Sequence, residues 1–201
     1  LVGQVYLSMR EEFALPAIDV YLDKHIPTGA GLGGGSSDAA EMMKRLNTMF
    51  QLNLSETDME QRLARFGADC PFFVQRRPVM ASGIGDVFGP LSVKLKCLTL
   101  ALVKPPVFVS TREAYAGVKP HAPATDLQEA LTKPIETWHD NVLNDFEPSV
   151  FSAHPELAAI KQTLYDSGAL YAQMTGSGSA LFAIYREAPT ISQSPTPKSS
   201  L

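Results

Sequence analysis

Cysteine is scarce in this chain of 201 residues: Cys70 and Cys97 stand alone and far apart. No secretory leader precedes them and no Cys-x-x-Cys spacing surrounds them, so neither a disulfide framework nor a thiolate metal site is expected. A reducing, cytoplasmic setting follows as the expectation. His25, His121, His139 and His154 are isolated too, none four residues from another or beside a cysteine, so no metal-ligating group is expected. Long apolar runs are missing. The existing ones are strand-sized and broken by Lys, Asp or Gly, well short of the ~18 residues that span a bilayer, which excludes a membrane partner. Positive charge is in deficit, with 17 Lys and Arg against 21 Asp and Glu. The basic residues are scattered rather than gathered into a stripe, so no nucleic-acid partner is expected. What is present is apolar material, 45% of the residues, enough for a sizeable core in one large domain or two compact ones.

The apolar residues fall into recognisable periods. Val5, Leu7, Met9 and Phe13 mark an amphipathic helix over 1–13, and because Leu1 is not a Met, a preceding segment is expected. Ile18, Val20 and Leu22 alternate with polar neighbours, which predicts a strand ending near Lys24. Ala39, Met43, Leu46 and Phe50 recur at helical spacing and predict a helix from about Ser37 to Phe50. Ser55 and Asp58 form a capping-box start for a second helix, whose buried face is Met59, Leu63 and Phe66 and whose terminal glycine is Gly67. Residues 71–74 and 79–81 read as short strands, the second entering a turn at Gly83-Ile84-Gly85-Asp86. Beyond a boundary near Pro90 to Val93, a strand is expected over 97–103, then three or four helices. One of these runs over 155–167, with Pro at its start and Gly168 after its end. Strands at 171–174 and 180–185 close the pattern around Gly176-Ser177-Gly178-Ser179. Helices and strands mixed in this way predict an α+β fold. From Ala188 the composition turns to Ser, Thr and Pro, which predicts a disordered tail over 188–201.

The densest signal is Pro27-Thr28-Gly29-Ala30-Gly31-Leu32-Gly33-Gly34-Gly35-Ser36-Ser37-Asp38, between the expected strand and helix. Glycines remove the Cβ clash that keeps backbone N–H groups from converging on an anion, and the helix that follows aims its positive dipole end at the same point. A phosphate cradle is the reading. Ser36 and Ser37 add hydroxyls that either cap the helix or serve a phosphate oxygen or a magnesium ion. Gly29, Gly31 and Gly34 match a dinucleotide-binding G-x-G-x-x-G by count, but that reading needs a second strand ending in an acidic residue about twenty positions on, and a second helix follows instead. A Walker A loop needs Lys after its last glycine, where this chain has Ser36. A flexible linker is a poor fit between two strongly periodic flanks.

Two further segments carry candidate chemistry. Asp69, in Gly67-Ala68-Asp69-Cys70-Pro71-Phe72-Phe73, is set among small and aromatic residues at an element junction. It either satisfies turn amides or accepts a hydroxyl proton as a general base in phosphoryl transfer. Thr175 to Ala180 is either a simple hairpin turn or a second small-residue loop packed on the first.

In this order, the three segments resemble the GHMP kinases. The loop from Pro27 to Ser37 is similar to that superfamily's phosphate-binding motif, and Met174 to Ala180 is similar to its C-terminal glycine-rich motif. The block Gly67 to Phe73, with Gly-Leu-Gly-Gly-Gly-Ser-Ser-Asp, resembles the branch whose acceptor is a cytidine-diphosphate-linked methylerythritol, a small molecule of the non-mevalonate isoprenoid pathway. The likeness covers about 1–185. It implies a fold with an N-terminal domain like the second domain of ribosomal protein S5, over 1–92 and without its first strands, and a ferredoxin-like C-terminal domain over 93–187. It implies ATP and Mg2+ as cofactors and Asp69 as the catalytic carboxylate. The nucleotide contacts implied are Pro27, Gly29, Gly31, Leu32, Gly33, Gly34, Gly35, Ser36 and Ser37. The acceptor contacts implied are Thr111, Tyr115, Gly176 and Gly178, with the Tyr115 ring stacked on cytosine. Other members acting on homoserine, mevalonate or a sugar are the alternative, as is a nucleotide-binding module without catalysis. The family's first strand carries a lysine that pairs with the aspartate. Lys24 does not match it, so the 201-residue chain is expected to turn over little substrate.

Overall fold

A computed structural model describes residues 1–119, 121 and 125–189. The disordered tail expected over 188–201 falls almost wholly outside these described residues. The N-terminal half is built from helices. Helix α1 (Val2–Phe13) buries Val5 and Met9 and ends at Ala14 in the left-handed region, φ 51°. Helix α2 (Gly34–Met49) buries Ala39, Ala40, Met42, Met43 and Leu46 and packs against α1. Small alanines beside long methionines let the two axes approach while the gaps stay filled. Helix α3 (Glu56–Leu63) opens with the expected capping box, Ser55 and Asp58 bonding reciprocally, and adds Met59 and Leu63 to the same core. It stops at Leu63, so Gly67 is not its terminal glycine.

Two expected strands are corrected by the structure. Residues 18–24 form no strand and have no strand partner among the described residues, and Val20, Tyr21 and Leu22 stand exposed. Alternation supplies a strand's pattern, but a ladder also needs neighbouring backbone groups to bond with. Tyr6 fixes the start of this segment, donating to Pro16 O at 3.0 Å and accepting from Ile18 N–H at 3.3 Å. Residues 72–75 form a short helix, α4 (Phe72–Gln75), where a strand over 71–74 is expected from the apolar run. A four-residue apolar run has no readable period, and Pro71 at φ −59°, ψ −35° starts a helical turn. Lys44 of α2 then holds its last carbonyls, donating to Phe73 O at 2.9 Å and Val74 O at 2.6 Å. Burial, with Arg76 nearby, lowers the Lys44 pKa.

Strands β1 (Val79–Ser82) and β2 (Val87–Pro90) form an antiparallel hairpin around the expected turn, with Gly83 and Gly85 at positive φ. The C-terminal half begins with β3 (Thr99–Val103), two residues later than expected because Cys97 lies in the left-handed region at φ 66°. Helices α5 (Thr111–Gly117), α6 (Leu127–Ala130), α7 (Trp138–Asn141), α8 (Glu147–Ala153) and α9 (Pro155–Asp166) follow, with one 3-10 turn at Ile135–Thr137. Strands β4 (Tyr171–Met174) and β5 (Leu181–Tyr185) complete an antiparallel sheet in the order β3-β5-β4. One core joins Leu157, Leu164, Met174, Leu181 and Ala183, and a second gathers Trp138, Tyr171 and Ile184. The Tyr171 hydroxyl donates to Val142 O at 2.7 Å, and burial drives its pKa far up. The architecture is the expected α+β. No helix among the described residues is long and apolar enough to cross a membrane.

Candidate active site

The glycine run enters α2 earlier than periodicity suggests. The helix begins at Gly34, with Gly33 as its N-cap at φ 63°, ψ 19° and no side chain capping it. Ser36 and Ser37 lie inside the first turn, so of their two readings capping is not realised, and the start expected near Ser37 is corrected to Gly34: three glycines carry no side-chain information for the pattern to use. The first i→i−4 bond is Ser37 N–H to Gly33 O at 2.8 Å. The amides of Gly34, Gly35 and Ser36 come before it, at the positive end of a 16-residue helix. Lys24 adds its ammonium to this end. It pairs with Asp38 and lies 3.2 Å from where a Cβ on Gly34 would sit.

Gly31 decides the shape of the loop. It has φ +72°, and a Cβ there would fall 2.3 Å from Thr175 O and 2.8 Å from Gly178 O. The two glycine-rich segments therefore touch backbone to backbone. Thr175 Oγ1 donates to Gly31 O at 2.9 Å, and Ala180 N–H donates to Ala30 O at 3.1 Å. Both readings of 175–180 are realised at once, since the segment is the β4–β5 hairpin turn and also packs on the first loop.

A hollow of about 450 Å³ opens where these loops meet. Its lining takes in residues 27–36 without a gap, Gly176, Ser177 and Gly178 opposite, and Asp69, Val109 and Thr111. A second hollow of about 340 Å³ adjoins it and shares Gly31, Leu32, Gly33, Asp69 and Gly176. Asp69 stands at the junction of the two. Ser37 does not line either hollow. Tyr115, one turn along α5 from Thr111, is about two-thirds exposed and rests edge-on against Phe146, ring centroids 4.9 Å apart, outside both linings.

Asp69 owes its position to its neighbours in sequence. Cys70 is fully buried in the α1–α2–α3 core, which anchors the 67–71 turn against that core. Burial raises the Cys70 thiol pKa, against a smaller lowering by the Ser36 hydroxyl. Phe73 lays its ring on Gly33, 2.6 Å from a notional Cβ, so a larger residue at 33 would expel it.

Sequence reasoning missed several contributors. The β1–β2 hairpin walls the second hollow with Ala81, Gly85 and Phe88, and Gly85 approaches the Asp69 carboxylate. Gly83-Ile84-Gly85-Asp86 was legible as a turn, but nothing in it signalled proximity to Asp69. Phe108 covers Gly29 as Phe73 covers Gly33, and no local pattern announced it.

A larger hollow of about 880 Å³ lies behind α2, around Lys44, Arg45 and Arg76. Its cations are occupied: Lys44 by two backbone carbonyls, Arg45 and Arg76 both by Glu41. Size alone favours that hollow, whereas the convergence of helix amides and a carboxylate favours the smaller one, and chemistry needs the convergence. Among the described residues no group of three His, Cys, Asp or Glu is placed to hold a metal ion.

Comparison with known proteins identifies the relatives of this chain. The family described as GHMP kinases N terminal domain matches residues 1–77, and that described as GHMP kinases C terminal matches 125–193. The 4-diphosphocytidyl-2-C-methyl-D-erythritol kinase of Bacteroides fragilis is 50% identical over 185 residues, covering 92% of this chain and 68% of its own length. Its Bacteroides thetaiotaomicron counterpart is 49% identical over 191 residues, covering 95% and 70%. A crystal structure of 4-(cytidine 5'-diphospho)-2C-methyl-D-erythritol kinase superimposes with TM-score 0.74 at 29% identity, covering 90% of this chain and 67% of that one. Homoserine kinase from Cytophaga hutchinsonii shares the fold, with TM-score 0.64 at 17% identity.

Proposed function

We infer the reaction from kinship and geometry together: the chain belongs to the GHMP kinases, in the branch of the 4-diphosphocytidyl-2-C-methyl-D-erythritol kinases. It is a small-molecule kinase of isoprenoid biosynthesis that uses ATP. The transfer runs from the γ-phosphate to the 2-hydroxyl of the methylerythritol moiety. The amides at the start of α2, with the backbone of 29–33, grip the triphosphate, and Asp69 accepts and orients the acceptor hydroxyl proton. Gly176, Gly178 and Thr111 bound the acceptor from the opposite wall, and Tyr115 supplies a ring at the outer end for cytosine. The single observation behind this reading is that Asp69 lines the same hollow as every residue from 27 to 36.

Magnesium fits the oxygen donors present, the Ser36 hydroxyl and the Asp69 carboxylate, as an ion held chiefly by phosphates and water. When bound, it neutralises charge developing on the phosphates. Two thiols outside any disulfide, Cys70 and Cys97, suit a cytoplasmic metabolic enzyme. We divide the chain into a nucleotide domain over 1–92 and an acceptor domain over 93–187, with the hollow between them. A substrate panel tests the reading on the chain preceded by the family's lysine-bearing first strand, the form in which every turnover is measured: ATP offered with diphosphocytidyl-methylerythritol, homoserine or mevalonate should be consumed with the first alone. Preference for homoserine or mevalonate would sink it.

A further inference from the structure

Loop 175–179 offers Gly176, Ser177 and Gly178 to the hollow, and two side chains that line neither hollow hold that loop by its ends. Asn144, just ahead of α8, donates from Nδ2 to Met174 O and to Gly176 O, each at 2.8 Å. Its Oδ1 accepts Phe146 N–H at 2.9 Å. Lys104, following β3, donates from Nζ to Ser179 Oγ at 3.0 Å, Pro105 O at 2.7 Å and Val107 O at 3.0 Å. Ser179 is fully buried and donates onward to Val107 O. One ammonium thus joins the far end of the loop to the segment leading into Val109 and Thr111, which line the hollow.

These groups are fully engaged. An ammonium has three N–H bonds, and Lys104 directs them at three protein oxygens; the Asn144 amide likewise uses both donors and its acceptor. Neither has a donor left for a phosphate. Their effect on chemistry must run through the loop they hold.

We infer that Lys104 and Asn144 are positioning residues for the acceptor: Asn144 fixes the start of loop 175–179, Lys104 fixes its end, and together they set how far its backbone stands from Asp69. The inference deepens the kinase reading and rests on it. Effective alignment of reacting groups is lost with displacements of about 1 Å, so loosening this wall acts on the acceptor before it acts on the nucleotide.

Three variants test it: Lys104→Met, Lys104→Arg and Asn144→Asp, the last isosteric and still able to accept from Phe146. Acceptor KM and kcat, affinity for a non-hydrolysable ATP analogue, and amide hydrogen exchange over 175–179 are measured on each. Lys104→Met and Asn144→Asp should raise acceptor KM roughly tenfold, with analogue affinity held within about threefold. Exchange over 175–179 should quicken, and Lys104→Arg should recover most of the acceptor KM. Acceptor KM within about twofold of the parent in both variants overturns the inference, as does a joint fall of acceptor and analogue affinity that tracks the folded fraction. A parent protein that grips the analogue and ignores diphosphocytidyl-methylerythritol removes the kinase reading instead. Unchanged exchange over 175–179 removes the clamp independently of turnover.

Discussion

The two glycine-rich loops share composition and contact each other, yet their backbone groups go to different places. Loop 27–36 ends in a helix whose first amides precede any intrahelical bond and face a hollow. Loop 175–179 spends several of its groups on the protein: Thr175 N–H on Ala180 O, Gly178 N–H on Thr175 O, and the carbonyls of Met174 and Gly176 on Asn144. Glycine content therefore does not identify an anion site. The destination of the amides does.

Substitutions in each loop and away from both sharpen that contrast. The largest effect is expected at the carboxylate between them: Asp69→Asn should lower turnover by roughly 10²–10³-fold while leaving ATP-analogue binding intact, as read by steady-state kinetics beside calorimetry. Unaltered turnover would take Asp69 out of the mechanism. Gly31→Ala comes next. Its Cβ would meet backbone at Thr175 and Gly178 from a left-handed φ, so denaturant unfolding should show a loss of about 3 kcal/mol, with analogue binding weakened as well. Gly178→Ala is milder, because its Cβ at φ +89° meets the flexible end of Met174 rather than backbone. About 1–2 kcal/mol is expected there, with analogue affinity unchanged; equal losses at 31 and 178 would erase the distinction between the loops.

The smallest effect lies outside both loops, at the α3 capping box. Hydrogen bonds from the Ser55 side chain and backbone hold the Asp58 pKa below its ordinary 3.8, with Arg62 adding to the lowering. A depressed carboxylate pKa contributes stability that is present above the unfolded value and lost as pH falls through the folded one. Stability should therefore decline on acidification below about pH 4, and Ser55→Ala should flatten that decline while shifting the melting temperature at neutral pH by only a few degrees. Melting curves between pH 2 and 7 read both.

The sequence made the helices legible where apolar residues repeat over several turns, as in 2–13 and 155–166. It also made the main parts of the candidate hollow's lining legible, since a glycine run ahead of a helix and an aspartate in a distinctive block stand out by residue type. Residues 18–24 and 71–74 misled for separate reasons. The first has a strand's alternation without a described partner, and the second is too short to have a period. The β1–β2 wall, Phe108, Lys104 and Asn144 were invisible because their roles arise from approach across the fold. Tyr115, assigned by resemblance alone, lies outside both hollows and keeps its role as a proposal.

The bond from Thr175 Oγ1 to Gly31 O joins residues 144 positions apart. Closing a loop that long is entropically unfavourable until the elements at both ends have formed, so this contact belongs late in folding. A partly folded chain can own a finished α1–α2–α3 core and still lack the hollow between the two loops. On the proposed reading, nucleotide affinity reports the joining of the two loops: refolding followed by ligand binding should lag refolding followed by helical signal.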